Sequence, residues 1–287
     1  MTSGILLLDK PRGLSSNAAL QRVRALYGRI KGGHVGSLDP LATGMLPLCL
    51  GEATKIAGDI LELRKRYRFT IALGAATTTG DAEGEVSARA AVPPLERAPL
   101  ERLLAGFLGR SEQVPPMYSA LKQGGRPLYQ LARAGVTVAR APRAIELFEL
   151  PLLARGAASL ELEALVSKGT YIRVLAEDIA RALGTCGHVS ALRRLYVEPF
   201  EHEPMHTLES LGAAPAALLP PDQPLAHLPA VRLGAPETAR LLKGQQVPAG
   251  SSAPYPRVRI YGEDGRFLGV GSTEAGLLQP RRLLQPD

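Results

Sequence analysis

The sequence predicts an α+β (mixed α/β) protein built on a largely antiparallel sheet, with a small β-rich module at its C-terminal end. Three observations carry this. Strand-like segments follow one another as hairpins and meanders, without the strand–helix alternation of a doubly wound fold. Helical patterns are few and short, at about 16–27, 99–108, 170–183 and 236–243. From about residue 225 one short helix is followed by three closely spaced strand candidates. With 287 residues, 45% of them hydrophobic and 21% charged, and a mean hydropathy of +0.02, the chain can bury a sizeable core.

Each element has a local reason. Gly4 to Leu8 is a short apolar strand closed by the turn Asp9-Lys10-Pro11-Arg12-Gly13. Ser15 or Ser16 can cap a helix running to about Tyr27, with Leu20, Val23 and Leu26 along one face. Gly28 to Gly36 holds four glycines in nine residues and reads as a loop. Tyr67 to Leu73 alternates aromatic or β-branched with polar residues, as a strand does. Thr77 to Glu85 is a polar loop around Thr79-Gly80-Asp81, and Pro99 to Leu108 a helix. Ala144 to Leu150 and Ser159 to Val166 read as strands separated by the Gly156 turn. Thr170 to Leu183 is an amphipathic helix ended by Gly184, and Gly187 to Glu198 a strand. The Pro/Ala-rich stretch Gly212 to Pro229 reads as a linker with one short helix. Beyond it come the Pro236–Lys243 helix and strands at Arg257–Tyr261, Phe267–Val270 and Leu277–Leu283.

Composition narrows the class. No apolar run reaches the ~18 residues of a membrane helix, and Ile5–Leu8 is too short for a secretion signal. Cys49 and Cys186 lie far apart and match no metal-ligand spacing, so a reduced, cytoplasmic protein without structural zinc is expected. The net charge is +7, concentrated in residues 1–70, which hold 11 basic and 5 acidic residues. A clustered basic excess is the footprint of a protein that meets phosphate. Arg outnumbers Lys 27 to 7 and Asn17 is the sole asparagine, which fits an Arg-, Ala- and Pro-rich genome as well as a thermophile. Walker, zinc-protease and serine-hydrolase signatures are all missing. The five histidines do not cluster in sequence, so no metal site is expected.

Four segments could carry chemistry. In Gly33-His34-Val35-Gly36-Ser37-Leu38-Asp39-Pro40-Leu41-Ala42-Thr43-Gly44, an acid lies between glycines that permit close backbone approach and a proline that pins the chain. Asp39 is either a reacting carboxylate or the cap of a turn. In Arg64-Lys65-Arg66-Tyr67-Arg68, strand alternation lets Tyr67 face a site while Arg66 and Arg68 point away; the plainer alternative is a solvated strand face. Ser167-Lys168-Gly169-Thr170-Tyr171-Ile172-Arg173 joins a strand to a helix, where anions bind readily. Leu192-Arg193-Arg194 sets an apolar residue beside paired guanidiniums.

Together with Gly4-Ile5-Leu6-Leu7-Leu8-Asp9-Lys10-Pro11, these segments closely resemble the TruB family of bacterial tRNA pseudouridine-55 synthases. The likeness runs in order from Gly4 to about Val197; Val35 stands where a threonine is common. It implies a pseudouridine synthase catalytic domain over residues 1–224, with an RNA-clamping thumb inserted at about 116–143, and a PUA-like RNA-binding β-barrel over 225–287. It implies a cofactor-free isomerase acting on the T-loop uridine of tRNA, as a monomer without membrane or obligate protein partner. Asp39 is then the catalytic acid that lets the N-glycosidic bond break, acting at the ribose or the base. Arg173 pairs with Asp39, Tyr67 stacks on the base and moves its C5 proton, Tyr171 and Leu192 complete the pocket, and His34 contacts the flipped-out RNA. A guide-RNA-dependent relative, a tRNA-folding factor and a basic ribosome-associated module are the alternatives. The folding role can coexist with catalysis.

Overall fold

A computed structural model describes residues 3–285. Among them, nine strands form the main sheet: β1 (Gly4–Lys10), β2 (Gly32–His34), β3 (Thr43–Leu50), β4 (Lys65–Leu73), β5 (Gly109–Gln113), β6 (Arg143–Glu149), β7 (Leu152–Arg155), β8 (Ser159–Val166) and β9 (Gly187–Val197). Their order is β1–β3–β9–β4–β8–β6–β5, with β2 against β3 and β7 against β8. All these pairs are antiparallel except β3 with β9, which meet in parallel at Thr43–Arg193 and Gly44–Arg194. The mixed fold with its antiparallel sheet is therefore present as expected.

Alternation divides β1 between two cores. Leu6 and Leu8 of β1, with Tyr67, Phe69 and Ile71 of β4, face the larger core beneath the helices Ser16–Leu26, Arg97–Ala105 and Ile172–Ala182. Ile5 and Leu7 face the other way, onto Met45, Ile56, Phe200, Leu225 and Val270. Each such fully buried Leu or Ile stabilises the fold by roughly 1.5–3 kcal/mol. Because Val270 and Leu225 belong to that second cluster, the terminal module shares a core with the main sheet. The module is a five-stranded sheet in the order Ala230–Arg232, Tyr255–Tyr261, Phe267–Glu274, Leu277–Leu283 and Val247–Pro248, packed on the Ala235–Leu242 helix.

Several expectations are refined. Gly32 to His34, read as loop, is the short strand β2. Leu26 lies 39% exposed, off the buried face formed by Ala19, Leu20 and Val23. The Gly156 turn joins β7 to β8, with Leu150 and Pro151 separating β6 from the extra strand β7. The stretch read as a linker is packed: Leu219 and Ile5 exchange both backbone hydrogen bonds, at 2.9 and 2.8 Å, and Leu225 is fully buried. Upstream, the His206 N–H donates to Leu7 O and His206 O accepts from Asp9 N–H, so residues 206 and 219 cover the outer edge of β1.

Candidate active site

The loop carrying Asp39 is clamped from three sides. Ser15 caps the first helix by accepting from Ala18 N–H at 3.1 Å. That leaves the Ser16 hydroxyl free to hold the loop, donating to Leu38 O at 3.0 Å and accepting from Leu38 N–H at 2.8 Å. Gly13 N–H donates to Pro40 O at 2.8 Å. From below, the Arg194 guanidinium donates to Met45 O at 2.6 Å and Gly36 O at 2.9 Å. Asp39 O closes a turn with Ala42 N–H at 3.0 Å, in keeping with Pro40 at the second position. Among the described residues no N–H of that turn caps the Asp39 carboxylate, whose partner is Arg173, with Nε 3.0 Å from Oδ2.

Arg173 enters from the first turn of the Ile172–Ala182 helix and is 5% exposed. Nη1 donates to Thr79 O at 2.7 Å and Nη2 to Tyr118 O at 2.6 Å, so two carbonyls aim Nε at Asp39. Asp81 stands behind it, with Oδ2 3.8 Å from Nε. The other Asp81 oxygen is held by Thr79 Oγ1 at 2.7 Å and Glu83 N–H at 3.0 Å.

A cavity of about 500 Å³ opens at this ion pair. His34, Asp39, Tyr67, Tyr171, Arg173 and Leu192, six residues spread over 159 positions of sequence, all line it. Tyr67 comes from the buried face of β4, Leu192 from β9, and Tyr171 from the residue before the helix. Ser119 and Leu121, from the expected thumb, form another wall. His34 Nδ1 is buried without a partner, and burial beside the Arg194 cation lowers its pKa. Val35 is buried in an apolar cluster, where a hydroxyl is not needed.

The Arg cluster and the Arg pair behave differently from a shared phosphate site. On the face of β4 opposite Tyr67, Arg66 pairs with Glu149 and Glu163, and Arg68 with Glu163. This is a half-buried salt-bridge ladder in mid-sheet. Arg193 and Arg194 part company by strand alternation: Arg193 grips Asp9 with two hydrogen bonds, at 2.9 and 2.8 Å, while Arg194 is 1% exposed beneath the Asp39 loop. Lys168 pairs with Glu62. The thumb stretch holds Lys122, Arg126, Arg133, Arg140 and Arg143 and no acid at all. A helix Leu128–Arg133 and a two-strand hairpin, Lys122–Gln123 with Arg126–Pro127, leave most of these cations exposed.

Electrostatics at the centre oppose one another. Burial raises the Asp39 pKa, Arg173 pulls it down, Asp81 pushes it up, and the balance is a raised value. Lys10, fully buried and donating to Pro11 O and Leu14 O, is lowered to about 8 by burial, against the pull of Asp39. Arg173 therefore limits the upward shift of Asp39 without reversing it. Protonation of Asp39 sets in as pH falls through a value above the usual carboxylate one. If ionised Asp39 is required, the acid limb of the single-turnover rate should lie above the ordinary aspartate pKa, and Arg173→Ala should move it higher. A limb at or below the ordinary value would contradict this.

Lys10, Asp81 and Arg194 are the site residues that sequence reading missed. Lys10 and Arg194 stood in quoted motifs without a role at the carboxylate, and only the fold shows that both cations are buried. Asp81 had only its place in a polar loop, and proximity to Arg173 exists only after folding.

The fold and the site together define an α+β unit with a cleft at the Asp39–Arg173 ion pair and a terminal β-module. Models of the TruB family pseudouridylate synthase N-terminal domain, the tRNA pseudouridylate synthase B C-terminal domain and the pseudouridine synthase II TruB C-terminal domain match residues 24–172, 173–223 and 229–284. The chain belongs to the TruB family of pseudouridylate synthases. It is 52% identical to the tRNA pseudouridine synthase B of Chromohalobacter salexigens, over 98% of this chain and 94% of that protein. It is 48% identical to that of Stutzerimonas stutzeri, over 99% and 96%. In shape it is similar to a chain of a Cbf5-Nop10-Gar1 complex, with a TM-score of 0.76 at 23% identity, covering 99% of this chain and 85% of that one. That likeness is one of fold.

Proposed function

We propose that this protein isomerises uridine 55 in the T-loop of tRNA to pseudouridine, in the cytoplasm, as a single chain without cofactor or protein partner, and that it also assists tRNA folding. The observation that carries the reading is the Asp39–Arg173 pair at the rim of a cavity walled by Tyr67, Tyr171 and Leu192. Family membership and the names of the relatives support the substrate. The uridine must leave the tRNA elbow to reach the cavity, at a cost of a few kcal/mol. His34, in the cavity lining, meets the extruded nucleotide.

Within the pocket Tyr171 and Leu192 hold the uracil ring and Tyr67 stacks on it. The Asp39 carboxylate, 40% exposed towards the cavity, acts on the nucleotide so that the N1–C1′ bond breaks. The uracil rotates against the apolar walls and a C5–C1′ bond forms. Tyr67 helps remove the C5 proton as a general acid–base group, and N1 ends protonated, so atoms and electrons balance without redox change. Arg173 holds Asp39 in one direction throughout, its fork fixed by two carbonyls and backed by Asp81. Incubating the purified protein alone with an unmodified tRNA transcript tests the activity; failure to form pseudouridine would overturn it.

The thumb offers a second measurement. Log affinity for tRNA should fall linearly with log salt, because cations released from phosphates drive binding. Replacing exposed Lys122, Arg126 and Arg133 by Ala should reduce that slope by up to about three, roughly one for each phosphate no longer neutralised. An unchanged slope would remove the thumb from the RNA interface.

A further inference from the structure

We propose that Gln113 is a positioning residue for the reaction, clamping the Tyr171–Arg173 segment against Asp39. Gln113 ends β5 and is 5% exposed. Its Oε1 accepts from Tyr171 N–H at 2.7 Å and its Nε2 donates to Tyr171 O at 3.2 Å. One side chain thus pairs with both backbone groups of one residue, as a neighbouring strand would, and Tyr171 O also accepts the first helical bond from Leu175 N–H at 3.1 Å. The clamp falls where it is needed. Tyr171 has extended backbone directly before the helix that carries Arg173, and no side chain caps that helix.

A second attachment follows five residues later, where Tyr118 O accepts from Arg173 Nη2. Between the two lie Val114, Pro115, Pro116 and Met117. Proline fixes φ, so this connection is stiff. A shift at Gln113 is therefore passed on to Tyr118 O, one of the two carbonyls that aim Arg173 at Asp39. The amide is also the right chemistry. It donates and accepts without charge, whereas a glutamate there would set a carboxylate against Tyr171 O.

This inference rests on reading Asp39 as the reacting carboxylate, so the experiment carries both. Single-turnover pseudouridine formation and tRNA affinity are measured for Asp39→Asn, Gln113→Met and Gln113→Glu with a tRNA transcript. Gln113→Met keeps the length and loses both hydrogen bonds; its rate should fall by about 10²-fold, the scale of an ångström-sized misplacement. Its tRNA affinity should stay within about threefold of wild type, a split between rate and binding that general loss of structure does not produce. Gln113→Glu keeps the acceptor and should fall by about tenfold, between the two. A Gln113→Met rate within threefold of wild type, or a rate loss matched by lost affinity, overturns the proposal. Should Gln113→Met not fold, a Gln113→Glu rate within threefold of wild type overturns it instead. An active Asp39→Asn overturns the reading of the site itself; an inactive one beside a fully active Gln113→Met overturns this inference alone.

Discussion

Asp39→Asn should abolish turnover while leaving the protein folded and able to bind tRNA. Asparagine keeps the shape and can still accept from Arg173, but it has neither the charge nor the nucleophilicity of a carboxylate. The expected fall is ~10³-fold or more, at least about 4 kcal/mol of barrier. Had the residue been a turn cap, Asn would serve as well as Asp and nothing would change. Stability is a further check. The folded-state pKa of Asp39 is raised, so the folded chain holds this proton more tightly than the unfolded chain. Its contribution to stability is present at low pH and lost as pH rises through the raised value. At neutral pH that contribution is gone, and Asp39→Asn should melt close to wild type. Single-turnover kinetics with saturating enzyme, a binding titration and thermal melts check all three. A variant that binds normally and keeps more than about a tenth of the rate, under ~1.4 kcal/mol of barrier, would end the assignment.

Gly44→Ala should be among the most destabilising single changes in the chain. Gly44 has φ +98°, where L side chains are strained, and an added Cβ would lie 2.1 Å from the backbone oxygen of Arg194. No side chain can swing aside to relieve that contact. β3 and β9 would have to separate, and their parallel join is only two residue pairs long. The left-handed backbone costs roughly 1–2 kcal/mol and the overpacking a further 1–3. A loss of about 3 kcal/mol or more by urea denaturation is expected. Activity should fall with it, because Arg194 supports the Asp39 loop. Gly33→Ala is the control: it meets nothing within 4 Å and should stay within about 0.5 kcal/mol of wild type. A Gly44→Ala loss below about 1 kcal/mol would show that the strands separate more easily than their geometry implies.

Local pattern accounts for what was legible. Residues 65–73 alternate so regularly that the inward direction of Tyr67 follows from the sequence, and the Ile172–Ala182 helix announces itself by its apolar stripe. β3 was invisible, although every residue from Gly44 to Leu50 is buried. Pro47 lies in its middle, and proline argues against a central strand; here its carbonyl serves the sheet by accepting from Val35 N–H. Residues 212–229 were misread as a linker because Pro and Ala are common there, while their partner, Ile5, lies over 200 positions away. The candidate site divides the same way. His34, Asp39, Tyr67, Tyr171, Arg173 and Leu192 stood in recognisable segments. Asp81 and Gln113 act through distances of 3.8 and 2.7 Å to residues far along the chain, and no local rule carries such information.

The covering of β1 by residues 206 and 219 has a consequence for synthesis. β3 lies nearby in sequence and can join β1 early, but the other edge of Gly4–Lys10 has no partner until some 200 further residues have been made. Ile5 and Leu7 likewise wait for Phe200, Leu225 and Val270. While residues beyond β3 are still being made, the nascent chain presents a bare apolar edge, the kind that recruits other strands. A segment left open during translation is thus deeply enclosed once its late partners have been made.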